Sequence, residues 1–88
     1  MSRRRVYKEE TIAIISRFFE AVDYLIEVKT IRGIKTYCDL YDINRRHYYT
    51  QKEDMNKGYF EIQWILPLIK EFKVSSNWLL FGKGKMLK

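Results

Sequence analysis

Between Lys35 and Gln51 the chain reads KTYCDLYDINRRHYYTQ, and its helical spacing is interrupted once. Tyr41 follows Tyr37 by four residues and Cys38 by three, as on one helical face, and Tyr48 and Gln51 resume that spacing after Asp42-Ile43-Asn44. The interruption predicts two short helices joined by a tight turn. Asp and Asn both tolerate the left-handed backbone of a sharp turn, and Asn44 is a strong N-cap whose side-chain oxygen can accept from the N–H of His47.

At about 100° per residue, Tyr48 and Gln51 point one way, while Arg45, Arg46, Tyr49 and Thr50 cluster on roughly the opposite face. The second helix therefore carries a basic, hydrogen-bonding outer face. Arg45 and Arg46 sit in its first turn, where the helix macrodipole disfavours cations by a few tenths of a kcal/mol. That placement points to an anionic partner, the plain alternative being a solvated surface pair.

The spacing of Cys38, Asp42, Ile43, Tyr48 and Gln51 resembles the helix-turn-helix of lambda-repressor-like (Xre-type) DNA-binding domains. Cys38 stands for the usual Ala, Asp42 for the usual Gly, and Gln51 for an apolar core residue. A second stretch, Val74-Ser75-Ser76-Asn77-Trp78-Leu79-Leu80-Phe81-Gly82-Lys83-Gly84, is similar to the VSxxWLLxGxG ending of the same family. The two motifs occur in the family's order, and the resemblance runs from Arg17 to Met86. It implies an all-α, compact five-helix domain whose second motif helix lies in the major groove while the first crosses the backbone. Carried onto this chain, Arg45, Arg46, Tyr49 and Thr50 face base edges and Lys35, Thr36, Asn56 and Lys57 hold phosphates. The implied function is sequence-specific duplex DNA binding by a repressor-type transcriptional regulator.

Composition agrees with a small folded domain. At 88 residues, 47% hydrophobic and 16% aromatic, the chain can bury a modest core built largely on rings. Seventeen basic against eleven acidic residues give a net charge of +6 and a pI near 9.5, which favours a polyanionic partner. No apolar run approaches 18 residues and no signal-peptide pattern is present, so no membrane association and a cytoplasmic, nucleoid-associated location are expected. Cys38 and His47 fall short of a structural zinc site, and no nucleophile lies beside the one histidine. The chain is read as a non-enzyme without metal, cofactor or small-molecule ligand.

The order of elements follows from periodicity. Residues 1–7 form a basic N-terminal arm in which Arg3, Arg4 and Arg5 either are solvated or reach into a minor groove, and residues 8–88 form the domain. Ile12, Ile15, Phe19, Val22 and Ile26, widened by Ile14, Phe18, Ala21 and Leu25, predict a long first helix stopped by Gly33 near Thr30 to Gly33. Ile12, Ile14 and Ile15 precede the part the family needs, so they either cap the core or form a homodimer surface. KEDMNKGYF reads as a polar loop. The helix after it, near Glu61 to Phe72, presents Ile62, Ile65, Leu66, Ile69 and Phe72 as its core face, and Pro67 requires it either to start late or to bend. Lys73 occupies the place of the family's glycine. Ser75 caps a last helix with Trp78 in the core and Gly82 as its left-handed stop.

Two other readings stay open. One is a protein-interaction module, an antitoxin-like or accessory subunit; the other is an RNA binder using some of seven tyrosines as stacking platforms. Exposure separates them from duplex DNA binding. A contiguous patch of His47, Tyr49, Tyr37 and Tyr59 favours protein or RNA, and a basic surface around Arg45 and Arg46 favours duplex DNA.

Overall fold

The longest apolar stripe forms the longest helix, α1 (Glu9–Glu27), which buries Ile15, Phe18, Phe19, Ala21, Val22 and Leu25. The computed structural model describes residues 7–88, and the remaining helices are α2 (Ile34–Leu40), α3 (Arg45–Glu53), α4 (Leu66–Lys70) and α5 (Ser76–Phe81). A single 3-10 turn, Ile62–Trp64, precedes α4. No strand occurs among the described residues; one antiparallel bridge, Val74 to Leu87, ties the C-terminal segment back against the start of α5. Among the described residues the architecture is all-α, with five helices around one core. Among the described residues no helix is long and apolar enough to cross a membrane.

Three helices stop at left-handed residues that are not glycine: Lys29 (φ 66°), Asp42 (φ 57°) and Lys73 (φ 60°). Such a backbone costs a side-chain-bearing residue roughly 1–2 kcal/mol. Each is followed within two residues by an apolar anchor, Ile31, Ile43 and Val74, which are 3%, 8% and 0% exposed. The anchors' own N–H groups close the turns, Ile31 onto the Leu25 carbonyl (3.1 Å), Ile43 onto Cys38 (2.9 Å) and Val74 onto Leu68 (2.9 Å). Burying one such side chain is worth about 1.5–3 kcal/mol, enough to offset the strained residue before it.

Several expected boundaries move for this reason. α1 ends at Glu27 and not near Gly33, because Lys29 makes the reversal; Gly33 has extended backbone (φ −178°) and sits at the N-cap of α2. The helix expected from Glu61 to Phe72 starts late. Pro67 falls in the first turn of α4, where its missing N–H costs no helical bond. The 3-10 turn before it shifts the register, so Trp64, Ile65 and Leu68 enter the core while Ile62 and Leu66 stand 61% and 40% exposed. Ile69 and Phe72 are half-buried against the core, as is Trp78. Ile15 is fully buried within the domain, so it serves the core and not a surface; Ile12 and Ile14 are half-buried.

Both expected caps form. The Asn44 side chain accepts from the His47 N–H at 3.1 Å, and Ser75 accepts from the Trp78 N–H at 3.3 Å. Gly82 is left-handed (φ 69°) and ends α5. Arg17 of α1 reaches across to that end, its Nε donating to the Leu79 carbonyl (2.8 Å) and its Nη2 to the Leu80 carbonyl (3.0 Å). A cation on helix-terminal carbonyls is favourable, and here it also joins the first helix to the last. Tyr7, at the edge of the expected arm, packs on the core and donates to the Phe60 carbonyl at 3.2 Å.

Cys38 is fully buried, and burial together with the nearby Asp39 carboxylate pushes its thiol up to about 11. Burial also raises the Tyr37 and Tyr48 hydroxyls well above the ordinary tyrosine value. All three groups keep in the folded state a proton that the unfolded chain releases earlier. Their contribution to stability is therefore whole below about pH 9 and falls as pH rises through the folded-state values. A thiol reagent at pH 8 is expected to label Cys38 only through unfolding, and the urea midpoint is expected to fall progressively above about pH 9. Rapid labelling of the native protein would contradict the burial of α2. Lys73→Gly is expected to stabilise the protein by up to about 1 kcal/mol, read as a higher urea midpoint, because glycine takes the left-handed turn without the Cβ strain.

Candidate nucleic-acid interface

α3 is only nine residues long, and what it buries determines what it presents. Tyr48 and Gln51 are both fully buried, so their side of the helix faces the core. On the other side Arg45, Arg46 and Tyr49 are exposed and Thr50 is half-buried, with Glu53 exposed at the C-terminal end. The four residues expected to read bases thus share the outward side of one helix. The first turn of α3 contains no acidic residue to compensate the two arginines.

The far end of α3 is fastened to α1. Lys52 Nζ lies 2.8 Å from Asp23 Oδ1 and stands over the Phe19 ring at 6.0 Å. Lys52 is thereby a structural residue, and as a base in the last turn it suits the helix dipole.

The residues expected to hold phosphates fall in two places. Lys35 and Thr36 lie in the first turn of α2, where the Lys35 ammonium pairs with Asp39 at 3.1 Å. Both partners are largely exposed, so the pair is weak and a phosphate can compete for the lysine. Asn56 and Lys57 lie in the loop after α3. The Asn56 N–H donates to Asp54 Oδ1 at 3.0 Å, its own Oδ1 is buried without a protein partner, and Lys57 is exposed. Arg3, Arg4 and Arg5 lie outside the described residues.

That loop is held in a way the sequence does not announce. Gln51 Nε2 donates to the Met55 carbonyl at 2.6 Å, and Gln51 Oε1 accepts from the Tyr59 N–H at 2.9 Å. The His47 ring, one turn earlier on α3, stacks on Tyr59 with centroids 4.0 Å apart and planes 1° from parallel. A polar residue at a core position of α3 was the one available signal, and its partners depend on a loop shape that local sequence does not specify.

The tyrosines divide sharply. Tyr37 and Tyr48 are fully buried, and Tyr37 donates to the Trp64 carbonyl at 2.6 Å, so no patch joins Tyr37 to Tyr49 and Tyr59, which stand 50% and 38% exposed. Among the described residues no group of three or more His, Cys, Asp or Glu side chains could hold a metal ion. Compared with protein-family models, curated proteins and solved structures, the chain matches none.

Tyr48 Oη is buried and no protein group bonds to it. Burial, and then the charge of Asp23, raise its pKa far above the usual value. Tyr48→Phe removes an uncompensated hydroxyl and keeps the ring, so it is expected to leave stability unchanged or to raise it by about 1 kcal/mol in a thermal melt. A loss above that size would mean that the hydroxyl is satisfied in solution.

Proposed function

We propose that this protein binds duplex DNA in a sequence-specific manner through α3, as a repressor-type transcriptional regulator with a lambda-repressor-like helix-turn-helix formed by α2 and α3. The observation that carries the reading is the outward side of α3. Arg45, Arg46 and Tyr49 are exposed together on a helix whose opposite side is anchored by Tyr48 and Gln51, directly after a left-handed turn at Asp42. Arginine matches the O6 and N7 acceptors of guanine because its planar fork donates two parallel bonds in the major groove. On this reading Arg45 is the principal base reader, with Tyr49 beside it and Arg46 reaching either a base or the phosphate wall. Lys57 and Lys35 hold phosphates.

A second reading keeps the fold and exchanges DNA for a protein partner. Leu40, Ile62 and Leu66 stand 63%, 61% and 40% exposed, apolar side chains that the duplex reading leaves unused. An accessory or antitoxin-like subunit, or a second copy of the chain, suits that surface, and sedimentation at micromolar concentration separates a second copy from a monomer. For the RNA reading, Tyr37 and Tyr48 offer no stacking platform, which leaves Tyr24, Tyr49 and Tyr59 as its exposed tyrosines.

Selection of bound duplexes from a random pool, followed by binding over a salt series, tests the proposal. Neutralising about five phosphates gives a log-log slope near −4 to −5. Arg45→Ala is expected to cost roughly 1–3 kcal/mol on the preferred site and to flatten the preference at one base pair. A salt-independent affinity would refute nucleic-acid binding, and uniform weakening by Arg45→Ala would remove α3 from the major groove.

A further inference from the structure

The loop that follows α3 is polar, contains Gly58 in a left-handed conformation (φ 83°), and by composition alone would be mobile. Instead it is tied down on both sides of its tip. Before the tip, Gln51 Nε2 holds the Met55 carbonyl (2.6 Å), and Asp54 accepts from Asn56 through its carboxylate (3.0 Å) and from Lys57 through its carbonyl (3.1 Å). After the tip, Gln51 Oε1 holds the Tyr59 N–H (2.9 Å) and His47 covers the Tyr59 ring (4.0 Å). Lys57 and Gly58 are what these anchors leave exposed between them.

Gln51 is the centre of this arrangement. It is fully buried, yet an apolar side chain there would add to the core without needing partners. Both functional atoms of its amide are spent on the loop, one on each side of the tip. The same helix that presents Arg45 and Tyr49 therefore sets the position of Lys57. A phosphate ligand held this way binds without the entropic cost of ordering a loop at the moment of association.

We infer that residues 54–60 form a preorganised clasp for a DNA backbone phosphate, with Lys57 as the contacting cation and Gln51, His47 and Tyr59 as positioning residues. The inference rests on the proposal that α3 binds duplex DNA. Gln51 fixes the register of the clasp relative to α3, so that occupation of the groove by the helix and contact of Lys57 with the backbone occur in one rigid-body encounter.

The test measures affinity for the selected duplex over a salt series, in the intact chain, for the parent, Lys57→Ala, Gln51→Leu, Tyr59→Ala, Tyr59→Phe and the pairs with Lys57→Ala. Lys57→Ala is expected to weaken all sequences alike and to lower the log-log slope by about one unit. Gln51→Leu and Tyr59→Ala are expected to do the same with Lys57 still present. Adding Lys57→Ala to either should then change affinity by less than about twofold, because residues acting as one unit are non-additive. Tyr59→Phe keeps the stack and should behave as the parent. If Gln51→Leu fails to fold, Tyr59→Ala decides the matter, since that ring is 38% exposed. Additive losses with an unchanged slope in Tyr59→Ala would overturn the clasp while leaving α3 as a DNA reader. A parent protein that binds no duplex at any salt would overturn both together.

Discussion

Phe18 is fully buried near the middle of α1, and its ring meets five others: Phe19 at 5.1 Å, Tyr37 at 6.1 Å, Tyr48 at 5.9 Å, Phe60 at 5.8 Å and Trp64 at 5.9 Å. These rings come from α1, α2, α3, the following loop and the 3-10 turn, so one side chain relates every element that frames the outward side of α3. Aromatic pairs of this geometry contribute about 0.5–1.5 kcal/mol each beyond the area they bury. In a chain of 88 residues that is how a small core becomes sufficient. Tyr37 and Tyr48 are the side chains through which α2 and α3 feel the hub, and Tyr48 also meets Phe19 edge-on at 5.0 Å. The angle between the two short helices is therefore a consequence of ring packing as much as of the turn between them.

The hub places the helices, and the left-handed residues decide where they stop. Lys29, Asp42 and Lys73 each accept strain so that a neighbouring Ile or Val can be buried. Asp42 has the most direct bearing on the interface. With Asp42 at φ 57°, Ile43 enters the core and Asn44 arrives in extended backbone to cap α3. The start of α3, and with it the rotation of Arg45 and Tyr49 toward the outside, follows from three consecutive residues.

What could be read from the sequence was local. The caps at Asn44 and Ser75 join residues three apart, and the break at Asp42 to Asn44 interrupts a short period, so both are visible without tertiary structure. The core placement of Cys38, Tyr48 and Gln51 is what the family resemblance implies, and all three are fully buried. Errors arose where a distant contact overrides local preference. Gly33 is the better left-handed residue by intrinsic freedom, yet the reversal occurs at Lys29 because Ile31 must reach the core. A 3.6-residue period puts Ile62 and Leu66 inside, but the 3-10 turn does not keep that period and buries Trp64 instead. The outward residues of α3 were legible as a group, whereas the coupling of Gln51 to Met55 and Tyr59 spans a loop and has no periodic signature.

A nine-residue helix is not stable by itself, and two arginines in its first turn make it less so by a few tenths of a kcal/mol each. The fold stabilises α3 by other means. Asn44 caps its start, a contribution of about 1 kcal/mol, while Tyr48 is buried beneath it and Lys52 is held by Asp23 at its end. These groups point inward or sideways, and neither Arg45 nor Arg46 takes part in them, while the Tyr49 ring meets Tyr48 edge-on at 5.9 Å. Charge is also unevenly distributed. The exposed residues of α1 include Glu10, Glu20 and Glu27, and its one base, Arg17, is turned to the end of α5. On the duplex reading, a polyanion is repelled along α1 and attracted at α3, so the sign of the surface orients the encounter before any base is contacted. On the same reading, the two arginines that would discriminate sequence are exposed and lie outside these anchoring contacts, so they can change at little cost to the domain.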